Sequence, residues 1–178
     1  MTCIAGLADG GAVYLAGDSA GISGWDLTIR ADVKVFINGP YVMGFTHSFR
    51  MGQLLRYAFS PPAPETTDLH GFMCTAFIDA LRTCLKDGGW ATKDKEQEEG
   101  GCFLVGVAGC LFTVQSDYQV AESASGCAAV GCGDQAALGA LFATAGGKPR
   151  TRLETAMGAA EHLSAGVRGP FAFASIGP

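Results

Sequence analysis

The chain has 178 residues and a formal net charge of −5, with 48% hydrophobic and only 16% charged side chains. That length suits one domain, residues 1–178, with a sizeable core, and the acidic balance argues against nucleic acid or an anionic membrane as partner. No run approaches the roughly 20 apolar residues of a membrane span, and the first residues lack the basic segment of a secretory signal.

The apolar runs Cys3 to Ala8 and Ala12 to Gly17 flank Asp9-Gly10-Gly11, a tight-hairpin signal because glycine supplies the positive φ such turns need. If Gly10 and Gly11 form the turn, Thr2 faces Ser19 and Cys3 faces Asp18. If Asp9 and Gly10 form it, Thr2 faces Gly17. Ser19 to Arg30 reads as a polar, glycine-rich loop. Asp32 to Ile37 and Tyr41 to Thr46 form a second hairpin around Asn38-Gly39-Pro40. Runs such as Ala12 to Gly17 and Tyr41 to Phe45 are apolar nearly throughout, as in strands covered on both faces.

His47 to Phe59 has helical spacing and stops at Pro61-Pro62, with Ser60 to Thr67 a connector. Asp68 caps a second helix to about Lys86, with a stripe through Phe72, Thr75, Ala76, Asp79 and Arg82 flanked by Leu69, Met73, Phe77 and Leu81. Gly88 to Gly101 carries K-D-K-E-Q-E-E and reads as a solvated loop. Cys102 to Ala108 and Cys110 to Gln115 make a third hairpin around Gly109, followed by short strands Val120 to Ser125 and Cys127 to Val130. Helices Gly133 to Ala145 and Thr151 to Ser164 precede a last strand, Phe171 to Ile176. The order is strands, two helices, strands, two helices, strand. Two buried sheets, each covered outside by a helix pair, satisfy that pattern.

The opening stretch also carries chemistry. A threonine hydroxyl needs an adjacent base to act as nucleophile, and the α-amino group of an N-terminal threonine can be that base. Its unperturbed pKa of about 7.7–8.0 suits the task. A lysine beside it would favour the neutral amine and ease loss of the hydroxyl proton, and a carboxylate would hold the lysine charged. Thr2, Asp18 and Lys34 supply this set, provided Met1 is removed. Otherwise the nitrogen is an amide and cannot act as a base. Each residue also has an ordinary reading: a threonine after the initiator, a strand-end acid, a strand lysine. The last sits badly with Val33, Val35 and Phe36, which look buried.

The start T-C-I-A-G-L, the A-G-D-S-A step and a lysine sixteen residues after that aspartate resemble proteasome β-subunits and the bacterial peptidase HslV, which are N-terminal-nucleophile (Ntn) hydrolases. The resemblance continues through G-F-T-H-S, V-G-C-G-D-Q-A-A-L-G-A-L and S-A-G-V-R-G-P-F, covering nearly the whole chain in order. It implies an α+β fold, the four-layer αββα sandwich, and a cytoplasmic threonine peptidase without cofactor. It further implies a homo-oligomeric ring that encloses the active sites, acts on peptides or unfolded protein, and can be served by an ATPase unfoldase. His47 matches the glycine whose N–H forms the oxyanion hole, with its imidazole either in the cleft or merely at a helix start. Cys132 takes the place of a serine that supports the terminal amine. Ser164 falls near the supporting aspartate and serine, without a matching acid. Gly21, Asp32, Phe45 and Phe49 match positions lining the pocket for the residue before the scissile bond.

Two other functions fit the fold: an inactive ring scaffold that retains Met1, and an amidase acting on a small molecule. Gly131-Cys132-Gly133-Asp134-Gln135-Ala136 with Glu154 downstream has the spacing of a dinucleotide fingerprint, but no βαβ series precedes it. Seven scattered cysteines without a C-x-x-C pair, and histidines only at 47, 70 and 162, give no clustered metal ligands. Most of the thiols read as small buried apolar groups in a reducing cytosol.

Overall fold

A computed structural model describes residues 1–94 and 97–177. β1 (Cys3–Asp9) and β2 (Ala12–Gly17) pair antiparallel, with Ile4 opposite Gly17 and Asp9 opposite Ala12. Gly10 and Gly11 are the turn residues, at φ +58° and +79°, a conformation that glycine alone adopts freely. Of the two registers open to the sequence, this one sets Cys3 against Asp18.

The stretch expected as a loop from Ser19 to Arg30 is instead a small hairpin, β3 (Ala20–Ser23) and β4 (Asp26–Ile29). Its turn lies at Gly24-Trp25, and β4 is exposed along its length. Ala20 is the one buried residue of the two strands, so there is no alternation between core and solvent to read and the strands left no signal. β5 (Val35–Asn38) and β6 (Tyr41–Phe45) follow as the second hairpin.

α1 (Phe49–Tyr57) starts two residues later than the sequence suggests, because Ser48 is the N-cap and accepts a hydrogen bond from the Arg50 N–H at 3.0 Å. His47 therefore lies outside the helix. Asp68 caps α2 (Leu69–Phe72), accepting from the Gly71 N–H at 2.9 Å, and the helix runs through a π-turn (Met73–Phe77) into α3 (Ile78–Asp87). The expected stripe is wrong: Thr75, Ala76 and Asp79 are exposed, and the buried face is Met73, Phe77, Leu81 and Leu85. That spacing of four outruns a period of 3.6, and the wider π-turn absorbs part of the drift. Within the expected charged loop, β7 (Thr92–Asp94) pairs with β8 (Gln97–Glu99), while Lys95 and Glu96 lie outside the described residues.

β9 (Phe103–Val107) and β10 (Cys110–Val114) form the third hairpin, followed by β11 (Val120–Glu122) and β12 (Cys127–Gly131). α4 (Asp134–Ala143), α5 (Pro149–Leu163) and β13 (Ala172–Ile176) complete the order. One large sheet runs β12-β1-β2-β13 and the other β11-β10-β9-β6-β5.

The sheets face each other through Ile4, Val13, Leu15, Val42, Leu104 and Leu111. The alternate residues Cys3, Ala5, Leu7 and Ala16 pack outward against Leu141, Leu153 and Met157 of α4 and α5. Tyr41, Met43, Phe103 and Val105 pack outward on the other side against Leu54, Phe77 and Leu81. The result is a four-layer αββα sandwich of the α+β class. Both sides of the inner strands are covered, which is why they read as unbroken apolar runs. No helix among the described residues is long and apolar enough to cross a membrane.

β12 closes against the chain start at Gly131, paired with Cys3 at φ +103°, where a Cβ would strike the Thr2 carbonyl. Gly131→Ala is expected to lower stability by at least ~1 kcal/mol, seen as a lower urea midpoint. Gly139→Ala, on α4 with open space around it, should instead raise the midpoint.

Candidate active site

Three segments meet at one edge of the sandwich: the residue before β1, the residues after β2, and the residue before β5. The Lys34 ammonium donates to Thr2 Oγ1 at 2.5 Å, Asp18 Oδ1 at 2.8 Å and the Ala20 carbonyl at 2.7 Å. An ammonium has three donors, and all three are used. Asp18 is satisfied as fully, with Oδ1 also accepting from the Cys3 N–H at 3.0 Å and Oδ2 from the Ala20 N–H at 2.9 Å. Lys34 and Asp18 are each 1% exposed and Thr2 is 4% exposed. Burial pushes the Lys34 pKa below its usual value, and the Asp18 charge beside it pulls the other way.

Because Lys34 donates to Thr2 Oγ1, the threonine's own proton points away from the lysine. A base on its other side could remove it, and the alkoxide left behind would face a buried cation. Thr2 N is linked to Met1 and is an amide in this chain. It donates to Cys132 Sγ at 3.3 Å, and the Cys132 thiol donates back to the Thr2 carbonyl at 3.4 Å. Ser164 Oγ donates to the same sulfur at 3.2 Å. Cys132 and Ser164 thus form a chain of contacts ending at the Thr2 nitrogen. No acid extends that chain among the described residues.

His47 sits on the other side of Thr2 at φ +65°, the left-handed region, which costs a residue with a Cβ about 1 kcal/mol. Its N–H has no acceptor among the described residues, so the donor is free. Met1, Thr2, Thr46, His47, Cys102 and Cys132 are among the residues lining a cavity of about 430 Å³. Of the four residues expected around the substrate side chain, Asp32, Phe45 and Phe49 line a second, much smaller cavity of about 20 Å³. Gly21 does not line it. A Cβ there would press on the stem of Arg30, which stands between Gly21 and the cavity residues.

Arg30 is the residue that sequence reasoning missed. Its Nε and Nη2 grip the Asp32 carboxylate at 2.7 and 2.6 Å, and its guanidinium lies 3.6 Å from the centre of the Phe49 ring. The pair draws Asp32 below the usual carboxylate range, chiefly through the hydrogen bond. The I-R-A-D spacing was visible, but nothing in it told a clamp from two solvated charges.

Thr2, a buried lysine and its aspartate thus meet at one edge of a four-layer αββα sandwich. Comparison with protein families and with curated proteins gives no match. Among solved structures, BPH from Thiobacillus denitrificans, determined both alone and in complex with epoxomicin, superposes with a TM-score of 0.81 at 19% identity, covering 99% of this chain and 98% of that one. Eukaryotic HslV from Trypanosoma brucei superposes with a TM-score of 0.69 at 18% identity, covering 99% of this chain and 100% of that one. The chain has the HslV-like, proteasome-type fold.

The lysine–aspartate pair is open to measurement. Asp18→Asn, which strands a buried ammonium, is expected to cost roughly 3–5 kcal/mol in urea denaturation. Adding Lys34→Met should recover part of that loss, because the charge needing a partner is gone.

Proposed function

We propose that this chain, once freed of Met1, is a threonine peptidase that assembles as a homo-oligomeric ring in the cytoplasm and cleaves peptides or unfolded protein. The observation that carries the reading is the Lys34 ammonium bridging Thr2 Oγ1 and Asp18 Oδ1. The likeness to HslV supports the ring and leaves room for an ATPase unfoldase partner. Exposed Trp25, Leu27 and Phe142 are apolar surface that neighbouring subunits would cover. The seven cysteines are unpaired, which suits a reducing compartment, though only Cys3 is buried where most were expected to be.

In this reading the free Thr2 amine takes the hydroxyl proton as Oγ1 attacks the scissile carbonyl, and Lys34 stabilises the alkoxide as it forms. The His47 N–H receives the oxyanion of the tetrahedral intermediate. The protonated amine passes its proton to the leaving nitrogen as the C–N bond breaks, and water then releases the acyl group from Thr2. Cys132 and Ser164 hold the amine towards the hydroxyl. The side chain before the scissile bond enters the cavity formed by Asp32, Phe45 and Phe49, which has room for about one water and so favours a small residue.

Intact mass of the purified protein should show loss of one methionine, and that form should cleave fluorogenic peptides. Thr2→Ala should reduce the rate by at least about 10³-fold. Hydrolysis of non-peptide amides in place of peptides would mark an amidase, and retained Met1 without any hydrolysis a scaffold. Peptides with alanine before the reporter should be cut faster than those with leucine or tyrosine. Arg30→Ala, which frees Asp32 and uncovers Phe49, should narrow that difference.

A further inference from the structure

We propose that the His47 imidazole is the base that activates water when the acyl group leaves Thr2, a role that rests on the peptidase reading above. The ring is exposed, and His47 lines the same 430 Å³ cavity as Thr2 and Cys132. Its tautomer follows from its neighbour. Thr46 Oγ1 donates its one proton to the Cys102 carbonyl at 2.7 Å, so the 3.2 Å contact between Thr46 Oγ1 and His47 Nδ1 has the imidazole as donor. With Nδ1 carrying the proton, the neutral ring leaves the Nε2 lone pair free to accept one.

The step balances without further reagents. Once the leaving amine has departed with its proton, the acyl group is an ester on Thr2 Oγ1. As the oxygen of water bonds to the ester carbon, one water proton passes to His47 Nε2. The collapsing intermediate breaks the C–Oγ1 bond, Oγ1 takes that proton, and both residues return to their starting state. The Thr2 amine is the competing base, but its support here is a thiol, a weak partner. The other titratable groups facing His47 are few. They are Cys102 on the segment before β9, Cys132 after β12, and the chain-start amine. The Lys34–Asp18 pair lies behind Thr2.

His47→Gly is a clean test, since glycine keeps the backbone N–H and is at ease at φ +65°. In protein with a free Thr2 amine, kcat for peptide hydrolysis should fall about 10²-fold. KM should fall in step, leaving kcat/KM nearly unchanged, because only the second half-reaction is slowed. Acyl-enzyme should accumulate in the intact mass spectrum. Unchanged kinetics in His47→Gly beside an active wild type, or an equal loss in kcat and kcat/KM, would overturn the role of the ring and leave the Thr2 assignment standing. Absence of turnover in wild type with a free Thr2 amine would overturn both.

Discussion

A buried ammonium sets the terms for this fold. Removing a lysine from water costs several kcal/mol unless an anion and enough acceptors receive it. Lys34 finds its acceptors on segments at residues 2, 18 and 20, and its anion spends its remaining lone pairs on the N–H groups of Cys3 and Ala20. Those bonds tolerate one register of the first hairpin. A slip by one residue would break the bonds to Asp18 and turn Ile4 and Leu15 away from the second sheet. The same constraint that fixes the strands therefore places a hydroxyl against a cation at the chain start. Fold and candidate chemistry share one set of contacts.

The sequence was legible where glycine or continuous apolar character left one solution. Asp9-Gly10-Gly11 and Asn38-Gly39-Pro40 announced their hairpins, and strands apolar on both faces called for covered sheets, hence helices outside them. The approach of Asp18 to the chain start followed from either turn register. The sequence was silent where structure depends on long-range packing without a periodic trace. The β3–β4 hairpin buries Ala20 alone and so shows no alternation, and the π-turn shifts a helical stripe that a fixed period cannot follow. Arg30 over Phe49 joins residues nineteen apart by a contact that neither residue's own pattern encodes. Cys132 and Ser164 came from likeness to known sequences, because no local spacing links residue 132 or 164 to residue 2.

The two polar atoms of Thr2 are held by different means. Cys132 touches the Thr2 nitrogen and carbonyl through a large, weakly hydrogen-bonding sulfur that Ser164 also contacts. A thiol is a weaker hydrogen-bond partner than a hydroxyl, so the threonine nitrogen is less tightly fixed than its oxygen. The oxygen side, by contrast, is anchored by a buried ion pair.

Two residues with positive φ bracket Thr2, and they differ in what a side chain can do. At Gly131 a Cβ would run into the Thr2 backbone, so the strand can close on the chain start only if that residue is glycine. At His47 the backbone has the same glycine-like hand, but His47 lines an open cavity and its ring is exposed. Any residue placed there meets the backbone cost of about 1 kcal/mol and leaves the N–H where it was. The position therefore separates backbone function from side-chain function. A free backbone donor can be kept while an imidazole ring is added to the cavity beside Thr2, and the rest of the four-layer frame need not move.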